Sequence, residues 1–193
     1  MRILDFDPVR DPVDVKKRIG VVPEDLALFD RLTGRETLSF VGQVHAVPDA
    51  ELTRRTDELL GLMDLNGASD TLVADYSHGM RKKLSLAAAL LPGPKVLFLD
   101  EPFEGIDAIA SRQIKALLQG FVTHGGTIFL TSHILEIVER LCDHIGVIAK
   151  GRLVAQGPLT ELKSRTAKDG TLEQTFLGLV GAAADADVSL DWL

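Results

Sequence analysis

Val96-Leu97-Phe98-Leu99-Asp100-Glu101-Pro102 sets an apolar run against two adjacent carboxylates and a proline that ends it. The run has the composition of a buried strand. In a parallel sheet, ligands bind beyond the carboxyl ends of the strands. Asp100 would then stand where a metal-bound phosphate could sit, and Glu101 could orient and deprotonate an attacking water. A buried strand closing in an ordinary acidic turn would look the same.

Three further clusters surround this one in sequence. Upstream lies Tyr76-Ser77-His78-Gly79-Met80-Arg81-Lys82-Lys83-Leu84. Ser77 is a good helix N-cap, and Gly79 lets backbone come close to a ligand. Free N–H groups at a helix N-terminus make an anion site. Arg81, Lys82 and Lys83 oppose the helix macrodipole there, which a bound anion would offset. A capped surface helix with a basic first turn is the plainer account. Glu104-Gly105-Ile106-Asp107 is a tight turn just after the carboxylate pair, whose Asp107 could simply cap the next helix. Thr131-Ser132-His133 ends a strand run. Ser132 could cap the following helix, and His133 could hydrogen-bond a terminal phosphate or face solvent.

The elements that must carry these clusters are legible in the pattern. Strands are expected at Ile19–Pro23, Val96–Leu99, Thr127–Thr131, Ile145–Ala149 and Leu153–Gln156. VLFL, TIFLT and IGVIA are nearly all apolar or β-branched. Strands buried on both faces read this way, which predicts a parallel sheet covered by helices. Thr33 with Glu36 forms a capping box for a helix from Gly34 to about Val47. Pro48 and Asp49 open a second helix to about Met63; a third follows Ser77, and a fourth begins near Asp107. Alternating strand and helix through residues 95–150 predicts a doubly wound α/β core. Residues 25–76 carry helix signals and no strand, which predicts a helical lobe inserted between two parts of the sheet.

Composition narrows the function. The 193 residues are 46% apolar, enough for one α/β domain with its own core, and the formal charge is −7. That charge argues against a nucleic-acid grip, which needs clustered Lys and Arg. The single cysteine, Cys142, sits in an apolar and acidic stretch and reads as a lone buried thiol in a reducing compartment. MRILDFDPVRDP lacks an apolar signal core, and the Leu84–Leu91 run is too short to cross a bilayer. A soluble chain is expected, with any membrane link supplied by a partner.

Together, in this order, these residues resemble the ATP-binding-cassette (ABC) family over about residues 3–180. In that resemblance Tyr76–Met80 is the signature sequence, VLFLDEP the Walker B strand with its catalytic glutamate, and Glu104–Asp107 the D-loop. His133 is the switch histidine, and Ile19–Glu24 occupies the Q-loop place. Leu32–Phe40, the Ser-x-Gly-Met form of the signature and the ending Thr171–Gly181 are similar to bacterial exporters whose ATPase and membrane subunits are separate chains. The resemblance implies an α/β, P-loop-NTPase-like nucleotide-binding domain: a largely parallel sheet with helices on both faces plus an α-helical subdomain. It divides the chain into residues 1–24 up to the Q-loop, 25–76 as helical subdomain, 77–166 as ATPase core, and 167–193 as C-terminal helix and acidic tail.

The same resemblance implies ATP and Mg²⁺ as ligands. Asp100 would hold Mg²⁺, with Glu24 near it; Glu101 would act on the attacking water, and His133 would steady the γ-phosphate. Ser77, His78, Gly79 and Met80 would meet the nucleotide of a second ATPase subunit in a homo- or heterodimer, and Glu24 and Asp107 would also lie at bound nucleotide. The lobe would contact a transmembrane permease subunit, placing the chain in the cytoplasm at the inner face of the membrane. Two departures bear on this. Glu24 stands where the family has glutamine, so a carboxylate faces metal and phosphate. No G-x-x-x-x-G-K-[ST] occurs; Gly93-Pro94-Lys95 has no partner glycine and precedes a strand. That loop supplies most of the grip on the β- and γ-phosphates. The expectation is an N-terminally incomplete cassette, missing the phosphate loop and first strands, which binds ATP poorly and hydrolyses it negligibly alone. It should also leave an open sheet edge and apolar surface. A non-catalytic or regulatory fragment that donates only its signature is the competing class. A cassette acting on DNA or ribosomes is a third, disfavoured by the lack of coiled-coil insertions and basic arms.

Overall fold

A computed structural model of the chain describes residues 2–166 and 172–180. They fall into two units, one ending at Thr131 and the other beginning at Ser132. The acidic run from Ala182 to Leu193 lies outside the described residues, as do Thr171 and Gly181 at either end of the exporter-like ending.

In the first unit a short helix α1 (Pro12–Lys16) leads into strand β1 (Ile19–Val22). Helices α2 (Gly34–Val44), α3 (Asp49–Leu62) and α4 (His78–Leu90) follow before strand β2 (Val96–Asp100). Helix α5 (Ala108–Thr123) and strand β3 (Thr127–Thr131) complete it. The strands form one parallel sheet in the order β1-β2-β3, with Val22 opposite Leu99 and Asp100 opposite Thr131. Leu97 and Leu99 of the central strand are 0% and 2% exposed, the buried strand that VLFL predicts. Helix α4 lies directly on β1: a Cβ on Gly20 would stand 2.5 Å from the Ala89 carbonyl oxygen. Real side chains do not approach backbone that closely, so glycine is what allows this contact.

Two expectations about the strands are corrected. TIFLT is not buried on both faces. It is the edge of the three-stranded sheet and alternates between exposed and half-buried, with Phe129 60% exposed. Val21, Phe98 and Phe129 are opposite one another in register, and Val21 is also more than half exposed. The Phe98 and Phe129 rings lie 5.8 Å apart, and Phe98 is half-buried, so an apolar row crosses one face of the sheet with its two ends exposed. The β-branched and aromatic composition of TIFLT reports strand preference rather than burial.

IGVIA is the second correction. Strand β4 (His144–Ala149) pairs antiparallel with β5 (Arg152–Pro158) in a separate two-stranded sheet of the second unit. The cause is the connection. Lys150 and Gly151, both at positive φ (50° and 72°), join strands whose ends Ala149 and Arg152 are paired. A two-residue primed turn closes only an antiparallel hairpin, because a parallel pair needs a crossover of a dozen or more residues. The second unit also holds α6 (Leu135–Leu141), α7 (Leu159–Thr166) and α8 (Leu172–Val180). Ile137, Val147, Leu162 and Leu172 are buried there, and the Lys163 ammonium meets the Glu139 carboxylate. Cys142 sits just past α6 and is half-buried rather than buried. Desolvation, then the Asp143 charge, pushes its thiol above the ordinary cysteine range, which disfavours the thiolate.

Residues 25–76 hold α2, α3 and two short 3-10 turns. The Thr33–Glu36 capping box is formed in both directions. Leu38, Leu60, Met63 and Val73 are fully buried, and Gly42 approaches Leu52 so closely that a Cβ would fall 2.2 Å from its Cδ1. Arg35 bridges α2 to α3 through Asp57 at 2.7 Å. Phe29 and Phe40 form an edge-to-face pair, ring centroids 5.2 Å apart, that is about half exposed. Among the described residues no helix is long and apolar enough to cross a membrane.

Candidate functional site

The carboxylate pair sits at the carboxyl end of β2. Asp100 is the last strand residue and is exposed; Glu101 follows at φ +43°, the left-handed region. That conformation costs a non-glycine residue about 1–2 kcal/mol, so surrounding contacts must hold it. They are present. The Glu101 N–H donates to the Thr131 hydroxyl at 3.4 Å, and that hydroxyl donates to Asp100 Oδ1. The Glu101 carbonyl accepts from the Glu104 N–H at 3.2 Å and from the Lys82 ammonium.

Lys82 is 3% exposed. Burial pushes its pKa down, and Glu104, Glu101, Glu24 and Asp100 act in the opposite direction by their charge. Burying an isolated ammonium costs several kcal/mol, which hydrogen bonding and nearby carboxylates must offset. The exposed Glu24, just past β1, therefore belongs to the same electrostatic cluster as Asp100 and Glu101.

Helix α4 opens on Ser77, whose Oγ accepts from the Met80 N–H at 3.2 Å. Ser77 and His78 are exposed, and Gly79 and Met80 half-buried. The basic first turn differs from the sequence expectation. Its cations are not held out for an anion. Arg81 pairs with Asp30, Lys82 turns to Glu101, and Lys83 is almost fully buried with its charge acting on Asp107. Two carboxylates and one carbonyl of the fold thus offset the unfavourable placement against the helix dipole.

The Glu104–Asp107 turn meets the start of this helix. A Cβ on Gly105, itself at φ +68°, would stand 3.0 Å from the His78 ring. Asp107 Oδ1 accepts from the Ile109 and Ala110 N–H groups, both at 2.8 Å, and so caps α5. His133 belongs to the second unit, exposed, two residues ahead of α6. Ser132 does not cap that helix. Its Oγ accepts from the Ile134 N–H at 3.1 Å in a local turn, and Ile134 is the N-cap residue.

The sequence did not single out Thr131 or Lys82 for the pair. Thr131 was readable only as the last residue of a strand, because its partnership with Asp100 follows from sheet register. Lys82 read as one of three surface cations, and its inward turn has no local signal.

A parallel α/β core with a carboxylate pair at a strand end, a capped helix beside it and an inserted helical lobe is a P-loop-NTPase-like fold. The family model for ABC transporters matches residues 3–104, and the chain belongs to that family. A daunorubicin resistance ATP-binding protein of Streptomyces coeruleorubidus is 39% identical over 163 residues, covering 84% of this chain and 52% of the relative. A linearmycin resistance ATP-binding protein of Bacillus subtilis is 34% identical over 170 residues, covering 88% and 55%. A solved structure described as the ATP binding subunit of an ABC transporter superposes with a TM-score of 0.85 at 27% identity, covering 92% of this chain and 74% of that one. The chain spans about half the length of the curated relatives it matches.

Proposed function

We propose that this chain is part of the ATP-hydrolysing subunit of an ABC exporter, working on a separate membrane permease from the cytoplasmic face. The Asp100–Glu101 pair, held at the carboxyl end of a parallel strand, with the capped helix α4 reaching it through Lys82, is the observation that carries this. The names of the similar resistance proteins support the export direction.

Magnesium suits the donors present. Mg²⁺ takes one or two carboxylates with substrate phosphates and keeps its remaining waters, rather than a full protein cage. Asp100, with Glu24 in the same charge cluster, offers that set, and among the described residues no three metal-binding side chains converge. When bound, the ion would neutralise charge on the phosphate oxygens. Asp100 would hold it. Glu101 would orient the water and take its proton, and His133 would meet the γ-phosphate. Ser77 with the Gly79 N–H, flanked by His78 and Met80, would face the nucleotide of a second ATPase subunit. Asp107, occupied as a helix cap, would act there through the turn it fixes. The half-exposed Phe29–Phe40 pair of the lobe supports a permease docking there.

The 193 residues contain no G-x-x-x-x-G-K-[ST]. Most of the grip on the β- and γ-phosphates would therefore come from residues other than these. The competing reading, a fragment that donates only its signature to another cassette, rests on the same observation. ATP hydrolysis by the purified 193-residue chain and by the transporter assembly from its own cells, each with Glu101→Gln, separates them. The expected result is negligible hydrolysis by the chain and hydrolysis by the assembly that falls about 10²–10⁴-fold in the variant. Hydrolysis by the chain alone, lost in E101Q, would contradict the first expectation. An assembly indifferent to E101Q would favour the non-catalytic fragment.

A further inference from the structure

We propose that Lys82 and Thr131 are positioning residues for Glu101, one gripping its carbonyl and the other its N–H, so that the Asp100–Glu101 pair is held from two sides. The proposal rests on the reading of Glu101 as the residue that acts on water.

Glu101 is one of few non-glycine residues at positive φ among the described residues, and it directly follows the strand. A peptide in that region returns to negative φ unless its surroundings over-determine it. Its two backbone polar groups are where the surroundings act. From β3, the Thr131 hydroxyl accepts from the Glu101 N–H and donates its own hydrogen to Asp100 Oδ1. One hydroxyl thus fixes both members of the pair relative to each other. From α4, the Lys82 ammonium donates to the Glu101 carbonyl, alongside the Glu104 N–H.

The two residues come from different elements, so the clamp depends on tertiary structure. Thr131 arrives by register, as the Cα partner of Asp100. Lys82 arrives because α4 packs over the sheet, against Gly20 of β1. A lysine serves here where arginine's planar fork is larger and methionine has no donor. The acidic surroundings (Glu24, Asp100, Glu101 and Glu104) keep an ammonium tolerable in a site that is 3% exposed. Released from the clamp, Glu101 would rotate about its own φ, and its carboxylate would leave the place from which it orients a water and takes its proton. A displacement of about 1 Å in a catalytic group can cost about 10²-fold in rate.

The test pairs a backbone readout with a kinetic one. In the ¹³C,¹⁵N-labelled 193-residue chain, the Glu101 carbonyl resonance and its HN–Hα coupling are followed in Lys82→Met and Thr131→Val. Both should change, with the Glu101 amide proton moving in T131V, while Thr131→Ser restores the wild-type values. In the transporter assembly, K82M and T131V should lower kcat about 10²-fold with KM for ATP within about 2-fold, and T131S should recover the rate. A melting temperature recorded for each variant separates this from loss of fold. Unchanged Glu101 resonances in both variants would overturn the clamp, whatever the kinetics. Released resonances with unchanged kcat, in an assembly where E101Q is inactive, would overturn the positioning role. An assembly in which E101Q itself is active would instead sink the reading of Glu101.

Discussion

Arg81 Nη1 lies 2.8 Å from Asp30 Oδ1, joining the first turn of α4 to the loop ahead of α2. Arg81 Nη2 also donates to the Ala74 carbonyl at 3.2 Å, so the guanidinium ties three segments together. A cation in the first helical turn is unfavourable by itself, and this pairing is what makes it acceptable. Arg81 is 27% and Asp30 61% exposed at the side chain, so the pair is partly screened.

Separating these two residues should therefore cost little in stability and more in local order. Asp30→Ala should lower stability by about 0.2–1 kcal/mol, an effect that shrinks as salt is raised. Chemical denaturation at low and high ionic strength checks the sign. Amide exchange should quicken around Ala74 in the same variant, because the Arg81 guanidinium loses its anchor.

Asp107 provides a dependence on pH. The Ala110 N–H above all, helped by the Ile109 N–H and the Lys83 charge, holds its carboxyl below the ordinary aspartate range against an opposing desolvation second in weight only to the Ala110 bond. A folded-state pKa below the unfolded one means a contribution to stability that is complete above the unfolded value. It is lost as pH falls through the folded value. The difference in melting temperature between wild type and Asp107→Ala should be constant from neutral pH to about pH 5 and narrow below the normal aspartate pKa. Asp107→Asn, which still accepts from the helix N–H groups, should retain most of the wild-type stability near pH 7.

The exposed ends of the apolar row on the sheet should govern the behaviour of the chain in solution. Val21 and Phe129 are 54% and 60% exposed, in register across β2. Exposed apolar surface on a sheet promotes self-association. Val21→Thr with Phe129→Thr should reduce association seen by light scattering, with a melting temperature within a few degrees of wild type. Unchanged scattering would mean that a different surface drives association.

How far the fold was legible varies with the range of the interaction involved. The capping box at Thr33 and Glu36, the Ser77 cap and the Asp107 cap are all formed, each a contact within three residues in sequence. VLFL is buried as its composition predicts, and the three strands that form the parallel sheet start where they were expected. The hairpin at Lys150-Gly151 is equally local, a two-residue connection that excludes parallel pairing, although the apolar run before it has the composition of a parallel strand.

The amino-acid sequence alone determined the family, the strands of the parallel sheet with the helices between them, and the caps at Thr33, Ser77 and Asp107. Each of these depends on residue type or on neighbours a few positions away. Tertiary structure decided which apolar strands are covered, because burial depends on what packs against a strand: Leu97 is 0% exposed and Phe129 of TIFLT 60%. It also decided that Lys82 turns inward to the Glu101 carbonyl rather than outward to an anion. The register of β2 against β3 brought Thr131 to the carboxylate pair across thirty-one positions of chain. Hydrogen bonds of that span arise from the packing of the sheet and its helices, and no local pattern encodes them.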